Sequence, residues 1–472
     1  MLMLLFQAFT VSKFLFMDAK IEFELKQRGA TSAQELASLL KVSQPTISRR
    51  LARVGPSLIR LGRGRSTLYA LSREIPPLGS SWPLYRIDEE GRPHREGTLH
   101  ALYAKQWALE QTSPWETLQG DQFTLGLFPD LPWFLYDLRP QGFLGRAFAR
   151  NYGRNLHLPP DPTLWHADDI MRALVQYGGD LAGSWILGEP LLQETQRQQL
   201  SSAEWIPETA RGEVYPLKAD AALAGEWPGS SAGGEQPKFT GRTGTSEDDA
   251  RHIIVKFSGS GNRSEDERWG DLLLTEHLAA TVLAEYGIPA AKTQWLQAGG
   301  RTFLEATRFD RIGAYGRRGL VSLLALDAAF FGEFFTPWTA AADRLEKNGW
   351  ISSEDADRLR LLWWFGTLIG NTDMHYGNVS LFLTPARPLA LAPSYDMLPM
   401  LYRPDIEGRL AERTFAPSPP PPEALPLWKK ALEMADRFWT EVAESQDVTL
   451  SFRQIAKQNR DTLSGYRKKF IP

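Results

Sequence analysis

A chain of 472 residues, 43% hydrophobic and 23% charged with sixteen tryptophans, is globular and long enough for two to four domains. A net charge of −3 excludes a polyanion-binding surface spread over the whole chain, so any nucleic-acid contact must come from local clustering. The lack of cysteine excludes disulfides, thiolate zinc sites and cysteine nucleophiles, and it fits a cytoplasmic protein.

Residues 1–17, "MLMLLFQAFTVSKFLFM", read as an N-terminal extension. They are apolar but lack a basic n-region and a small-residue cleavage site. Lys13 interrupts the run, and a membrane helix needs about 20 uninterrupted apolar residues. No membrane partner is expected.

Residues 18–78 read as a small helical domain with a hairpin. "SAQELASLLKV" sets Leu36, Leu39 and Leu40 on one helical face, with Ser32 and Glu35 spaced as a capping box. "SQPTISRRLARV" starts on Ser43 as N-cap with Pro45 in the first turn, and it buries Ile47, Leu51 and Val54. Arg49, Arg50 and Arg53 then project elsewhere, beside Gln44, Thr46 and Ser48. "LIRLGRGRSTLYAL" is expected to form a two-stranded hairpin whose glycine turn carries Arg63 and Arg65. No acidic residue lies between Glu35 and Glu74, where seven arginines and Lys41 fall. Helix, turn, helix and basic hairpin is the geometry of a winged helix-turn-helix. The expected duplex-DNA contacts are Gln44, Thr46, Arg49, Arg50, Arg53, Arg63 and Arg65: Arg and Gln for base edges, the hydroxyl and the hairpin arginines for phosphates. The bland alternative is a basic helix pair used for protein contacts.

Residues 80–225 alternate short apolar runs with Pro and Gly and read as a mixed α/β region packed by aromatics. His157, His166, Asp168 and Asp169 lack metal-ligand spacing and are expected at the surface. Beyond Ala325 the chain reads as helical, through "SEDADRLRLLWWFGTLIG" capped by Ser352 or Ser353. An exposed polyproline-type loop, "FAPSPPPPEALP", then leads to the amphipathic "LWKKALEMADRFWTEVAE".

Four stretches occur in an order that phosphoryl transfer requires. "GSSAGGEQPK" (229–238) offers a Gly/Ser loop. "RHIIVKF" is a β-run carrying Lys256, and "DLLLTEHLAATVLAEYG" is a helix carrying Glu276. "IGNTDMHYGNVSLF" holds Asp373 and Asn378, followed by "PSYDMLP" with Asp396. Transfer of a phosphoryl group is catalysed by positioning and charge neutralisation: a glycine cover over phosphates, a strand lysine on them, and a helix glutamate holding that lysine. It also needs an Asp near the acceptor hydroxyl, with an Asn and a second Asp for magnesium. Asp373 and Asn378 are five residues apart, as in the kinase catalytic loop. A nucleophile elbow at Ser231 fails because "AGEWPGS" before it is no strand and "GGEQPKFTGRTGT" after it is no helix. No Walker A pattern is present. Asn371, Asp373, His375 and Asn378, crowded between "WWFGTLIG" and "VSLFL", would be costly to bury without a ligand or a network.

"SSAGGEQPKF", "HIIVKF", "TRFDR", "IGNTDMHYGN" and "SYDMLP" resemble the HipA-like serine/threonine kinases of bacterial toxin–antitoxin systems, from about Gly179 to the C-terminus. The resemblance implies ATP and Mg2+ as cofactors. It implies Lys256 as the ATP lysine, with Glu276, Ser231, Gly233 and Gly234 beside the nucleotide. Asp373 is then the catalytic aspartate, His375 a loop-orienting residue, and Asn378 and Asp396 the magnesium ligands. Ser230 or Ser231 is similar to the autophosphorylated loop serine, and a protein substrate, an aminoacyl-tRNA synthetase among the candidates, follows from the family alone. A DNA-binding module on the same chain resembles the single-chain subgroup.

The expected architecture is α+β: the extension (1–17), a winged helix-turn-helix (18–78), and a two-lobed kinase-like body. That body has an α/β part with the loop and lysine (79–320) and an all-α catalytic lobe (321–472). Two other functions stay open at this stage. One is a DNA-bound regulator whose degenerate kinase body senses nucleotide. The other is a nuclease toxin whose Asp373, His375 and Asp396 hold a metal.

Overall fold

The computed structural model describes residues 17–199, 205–225, 234–247, 249–261 and 263–471. Ser230, Ser231 and Gly233 fall outside them, as does the side chain of Arg65.

Helix α1 (17–28), β1 (Thr31–Ser32), α2 (Ala33–Leu40) and α3 (Gln44–Leu51) are followed by the hairpin β2 (Leu58–Leu61) and β3 (Leu68–Leu71). The three strands pair antiparallel in the order β1-β3-β2. Ser32 Oγ accepts from the Glu35 amide at 3.1 Å and Glu35 returns the bond to the Ser32 amide at 2.9 Å, so the capping box starts α2 as the sequence suggests. Ile21, Leu25, Leu36, Ile47, Leu51 and Leu71 close a small core. Leu39 does not join it and stays exposed. Arg50 also departs from expectation. It lies three residues after Ile47, on the inner face of α3, where it is buried and donates to Asp18 at 3.1 and 3.2 Å.

This unit is packed onto its neighbours. Leu61 and Ala70 of the hairpin share an apolar cluster with Leu102 and Ala108. Arg73 grips Asp168 with two parallel bonds of 2.6 and 2.8 Å, so Asp168 is an ion-pair partner and more than a surface carboxylate.

The middle of the chain is an antiparallel sheet, ordered β7-β6-β5-β4-β8. Its strands are β4 (Ser81–Ile87), β5 (Pro93–Ala101), β6 (Trp107–Gln111), β7 (Leu127–Phe128) and β8 (Trp185–Leu187). Around it lie α4 (Glu116–Gln119), α5 (Gly142–Tyr152), α6 (Ala167–Tyr177) and α7 (Glu189–Gln199). A second sheet follows, ordered β12-β13-β11-β10-β9, built from β9 (Trp205–Ile206), β10 (Lys238–Thr243), β11 (Arg251–Phe257), β12 (Thr293–Ala298) and β13 (Arg301–Thr307). All its pairings are antiparallel except β9–β10. Helices α8 (Arg211–Ala224) and α9 (Ser264–Glu285) accompany it. Strands and helices are mixed here as the sequence suggests, with mainly antiparallel pairing in both sheets.

After the small hairpin β14 (Arg311–Ile312) and β15 (Gly316–Arg317), the C-terminal lobe contains α10 (Leu323–Phe330), α11 (Trp338–Lys347), α12 (Ser353–Leu368), α13 (Leu425–Glu444) and α14 (Leu450–Phe470). It is not all-α. Strands β16 (Leu320–Ser322), β17 (Ser380–Phe382) and β18 (Ala390–Leu391) form a small antiparallel sheet, and β16 straddles the expected boundary at 320/321. Strands of two or three residues are too short to show a period in sequence. The proline-rich stretch is likewise only partly exposed: Phe415 and Pro417 are buried, and Phe415 packs edge-on against Trp439 at 6.0 Å. One apolar core runs from Trp82 and Trp107 of the middle sheet to Trp428 and Trp439 of α13.

Candidate active site

Strand β11 is rich in β-branched residues and central in its sheet, which fixes alternate side chains firmly to each face. Lys256 near its end points at α9, where it donates to both Glu276 oxygens at 2.6 and 2.7 Å. It also bonds Asp396. Lys256 and Glu276 are both buried. Burial works against the lysine's charge, but Asp396 and Glu276 together hold its pKa above the ordinary lysine value. Burial raises the Glu276 pKa, against the pull of Lys256.

A fourth charge completes the cluster. Lys238 opens β10 directly opposite Lys256 in the antiparallel register and is 3% exposed. Burial pulls its pKa down to about 8; Asp396 opposes this and the Lys256 ammonium adds to it. Two buried ammoniums thus face the buried Glu276 and the partly buried Asp396, and the charges balance. Lys238 escaped the sequence reading, although it is the lysine that ends "GSSAGGEQPK". The missing signal was strand register, which aligns 238 with 256 only once the sheet is formed.

The glycine stretch is described from Gly234 onward. Gly234 has φ +92°, and a Cβ on it would sit 2.9 Å from Lys238 Nζ. Its carbonyl accepts from the Phe143 amide at 3.0 Å, at the start of α5. Gly142 lets the two chains approach: a Cβ there would lie 2.3 Å from the Gly234 oxygen. Helix α5 therefore braces the end of the glycine stretch, a contact between residues some ninety apart in sequence that no local pattern announces.

The stretch after α12 carries Asp373, His375 and Asn378. Asn371, 5% exposed, holds it at one end: its Oδ1 accepts from the Asp373 amide at 3.0 Å and its Nδ2 donates to the Asp396 carbonyl at 3.3 Å. One side chain thus ties the Asp373 loop to the segment bearing Asp396. Asn378 Nδ2 donates to the Asp373 carbonyl at 2.8 Å, which leaves its Oδ1 as the end that can meet a cation. His375 Nδ1 accepts from the Gly377 amide at 3.0 Å, so the neutral ring carries its proton on Nε2. Asp373 is half-buried and His375 exposed. Asp396 sits at φ +54°, in the left-handed region that Asp tolerates better than most residues. Lys256, Glu276 and Asp396 therefore meet directly, and Asp373 and Asn378 join them through Asn371.

"TRFDR" has a structural part that spacing alone did not reveal. Asp310 accepts from Arg308 at 2.9 Å, Arg311 at 2.6 Å and the Gly183 amide at 2.8 Å. Burial opposes its ionisation, but the two guanidiniums hold its pKa well below the usual carboxylate range. This network stiffens the chain leaving β13 and ties the two sheets together.

Comparison with known proteins decides the family. A profile described as "YjjJ-like toxin, middle domain" matches residues 78–196, and one described as "HipA-like C-terminal domain" matches residues 230–461. Toxin YjjJ of Escherichia coli (strain K12) is 37% identical over 447 residues, which cover 94% of this chain and 98% of that protein. The chain belongs to the HipA-like toxins. Its fold is shared with a chain of the Shewanella oneidensis MR-1 complex of HipA, HipB and operator DNA, at TM-score 0.50 and 16% identity over 83% of this chain and 97% of that one. The Helicobacter pylori proinflammatory kinase CtkA matches 51% of this HipA-like chain and 90% of its own at TM-score 0.34 and 15% identity.

The Lys238 ammonium gives this HipA-like site a pH dependence. Its charge attracts anions below about pH 8 and is lost as pH rises through that value. The sign for stability is opposite. Burying the charged form costs stability below about 8, and that cost vanishes as pH climbs from about 8 to the unfolded lysine value near 10.4. Affinity for an anionic ligand should therefore weaken between pH 7 and 9 while the protein does not lose stability, and Lys238→Arg should flatten the affinity profile. Titration calorimetry with inorganic triphosphate checks this.

Proposed function

We propose that the chain is an ATP- and Mg2+-dependent serine/threonine protein kinase of the HipA-like toxin type, fused to a DNA-binding module and able to phosphorylate its own glycine stretch. The observation that carries the reading is the buried Lys256–Glu276 pair set against the loop of Asp373 and Asn378. A lysine clamped by a helix carboxylate is held where it can meet phosphate oxygens. Asp373 would accept the acceptor hydroxyl's proton and orient it toward the γ-phosphate. Asn378 Oδ1 and an Asp396 oxygen suit magnesium, a hard cation commonly held by one or two protein oxygens together with substrate phosphates. When bound, that ion neutralises charge on the phosphates. Nucleotide entry would turn Lys256 from Asp396 toward the phosphates, leaving Glu276 as its anchor.

The nuclease alternative has less support. Among the described residues no three His, Asp or Glu side chains gather closely enough to hold a metal by themselves, so Asp373, His375 and Asp396 do not make a ligand set. We place the protein in the cytoplasm, where its nucleotide is. Among the described residues no helix is long and apolar enough to cross a membrane. Its acceptor beyond itself would be a protein hydroxyl; an aminoacyl-tRNA synthetase is the candidate that the family resemblance supplies.

Residues 18–78 are proposed as a winged helix-turn-helix that binds duplex DNA. Three helices, a β1-β3-β2 sheet, and exposed Gln44, Arg49, Arg53 and Arg63 support this, with Thr46 half-buried beside them. Arg50 is spent on Asp18 and is left out of the contact set. Full-length protein should bind duplex DNA with an affinity that falls steeply with salt. Replacing Arg49 and Arg53 with Ala should flatten the log–log slope by about 2, close to one unit per phosphate contact. Binding that is absent or indifferent to salt would leave the module as a protein-contact surface.

Incubation with γ-labelled ATP and magnesium tests the kinase reading itself. Label in protein supports it. Cleavage of DNA without ATP would support the nuclease, and nucleotide binding without any transfer would support the degenerate sensor.

A further inference from the structure

The loop of Asp373 is held to itself and to the Asp396 segment by Asn371, Asn378 and a Tyr395 hydroxyl that donates to the Gly377 carbonyl, and a further set of side-chain bonds ties it to α11 and the turn before it. Tyr376, midway between Asp373 and Asn378 in that loop, is 1% exposed. Its hydroxyl reaches Arg344 Nη2 at 2.9 Å and Thr336 Oγ1 at 2.5 Å. Thr336 Oγ1 also accepts from Arg344 Nη1 at 3.1 Å and donates to the Glu333 carbonyl at 3.1 Å. Arg344 in turn donates to Asp327 at 3.2 Å, and Asp327 accepts from the Glu333 amide at 2.7 Å.

Proton counting gives these bonds a direction. Arg344 can only donate, so Tyr376 and Thr336 both accept from it. The single Thr336 proton goes to Glu333, so the contact between the two hydroxyls must use the tyrosine's proton. Tyr376 therefore accepts from Arg344 and donates to Thr336. Each hydroxyl proton has one acceptor, and the ring is locked against both α11 and the turn before it. None of the hydrogen bonds in this set involves Lys256, Glu276, Asp396 or Lys238.

We propose that Tyr376, Arg344 and Thr336 form a positioning unit that sets where the Asp373 carboxylate stands relative to the nucleotide. This rests on the kinase reading above. None of the three is a catalytic residue. Tyr376 fixes the backbone three residues beyond Asp373, and Arg344 fixes Tyr376. A loop freed of that lock keeps its fold, because the tyrosine ring stays in the core, but Asp373 then samples positions from which the acceptor hydroxyl is misaligned.

Tyr376→Phe removes one oxygen and keeps the ring. We expect its single-turnover rate of phosphoryl transfer to fall about tenfold or more, since small displacements of reacting groups cost rate steeply. ATP affinity measured without magnesium should stay within about twofold of wild type, because the Lys256 cluster takes no part in these bonds. Adding Thr336→Val to Tyr376→Phe should change the rate little further, as expected of residues acting as one unit. Amide hydrogen exchange over 371–378 is a second readout that needs no activity, and it should quicken in Tyr376→Phe while exchange in α12 does not. Transfer and exchange both equal to wild type would overturn the proposal, as would a loss of ATP affinity matching the loss of rate. Wild-type protein that never transfers phosphate would instead overturn the kinase reading, and the exchange arm would still decide whether the unit positions the loop.

Discussion

Lys256→Met should lose nucleotide binding and also about 3–5 kcal/mol of folding stability, the usual cost of removing one partner from a buried ion pair. The methionine fills the space of the lysine stem but strands Glu276 and the partly buried Asp396 against a single remaining ammonium, Lys238. Burial has already raised the Glu276 pKa, and without its lysine this carboxyl is driven further toward the neutral form. Chemical denaturation of the variant and wild type at neutral pH checks the loss. A double variant, Lys256→Met with Glu276→Gln, should recover part of it by removing the stranded charge, with no return of ATP binding. Equal stability of the single variant and wild type would mean that the cluster is more hydrated than its geometry implies.

The second large effect falls on chemistry alone. Asp373→Asn should slow phosphoryl transfer by about 10²–10⁴-fold, the usual contribution of a general base, while ATP affinity and stability remain near wild type. Asp373 is half-buried and its carboxylate anchors none of the loop bonds described above; these run through its backbone amide and carbonyl. The loop should therefore keep its shape in the variant. Asp396→Ala, by contrast, should lose magnesium-dependent nucleotide binding, because Asp396 belongs to the ion cluster. Nucleotide titration beside single-turnover rates separates the two. A large drop in ATP affinity for Asp373→Asn would move that residue from chemistry to binding.

What could be read from the sequence was local. The capping box of Ser32 and Glu35 involves neighbours, and the β-run around Lys256 announces itself by its branched residues. Glu276 lies on a helix long enough to be recognised in isolation, and the five-residue step from Asp373 to Asn378 sits in one loop. What escaped depends on partners distant in the chain. Lys238 becomes a site residue only by pairing with β11, and Gly142 only by touching Gly234. The arginines of "TRFDR" find Asp180 about 130 residues upstream, in a region whose sequence shows only packing. Arg50 was misread because the helical face that Ile47 buries is wide enough to take an arginine with its own carboxylate. The three short strands of the C-terminal lobe were missed because their pairing, and no pattern of their own, makes them strands.

Whether Asp373 and the Lys256 cluster transfer phosphate from ATP to a hydroxyl is tested most directly by mass spectrometry of wild-type and Asp373→Asn protein after incubation with ATP and magnesium. A phosphoserine at Ser230 or Ser231 is expected in the wild type and absent from the variant, and the phosphorylated form should bind ATP more weakly, because its added charge of about −1.5 to −2 repels the nucleotide's phosphates. Unmodified wild-type protein, or equal phosphorylation of the two proteins, would contradict that transfer.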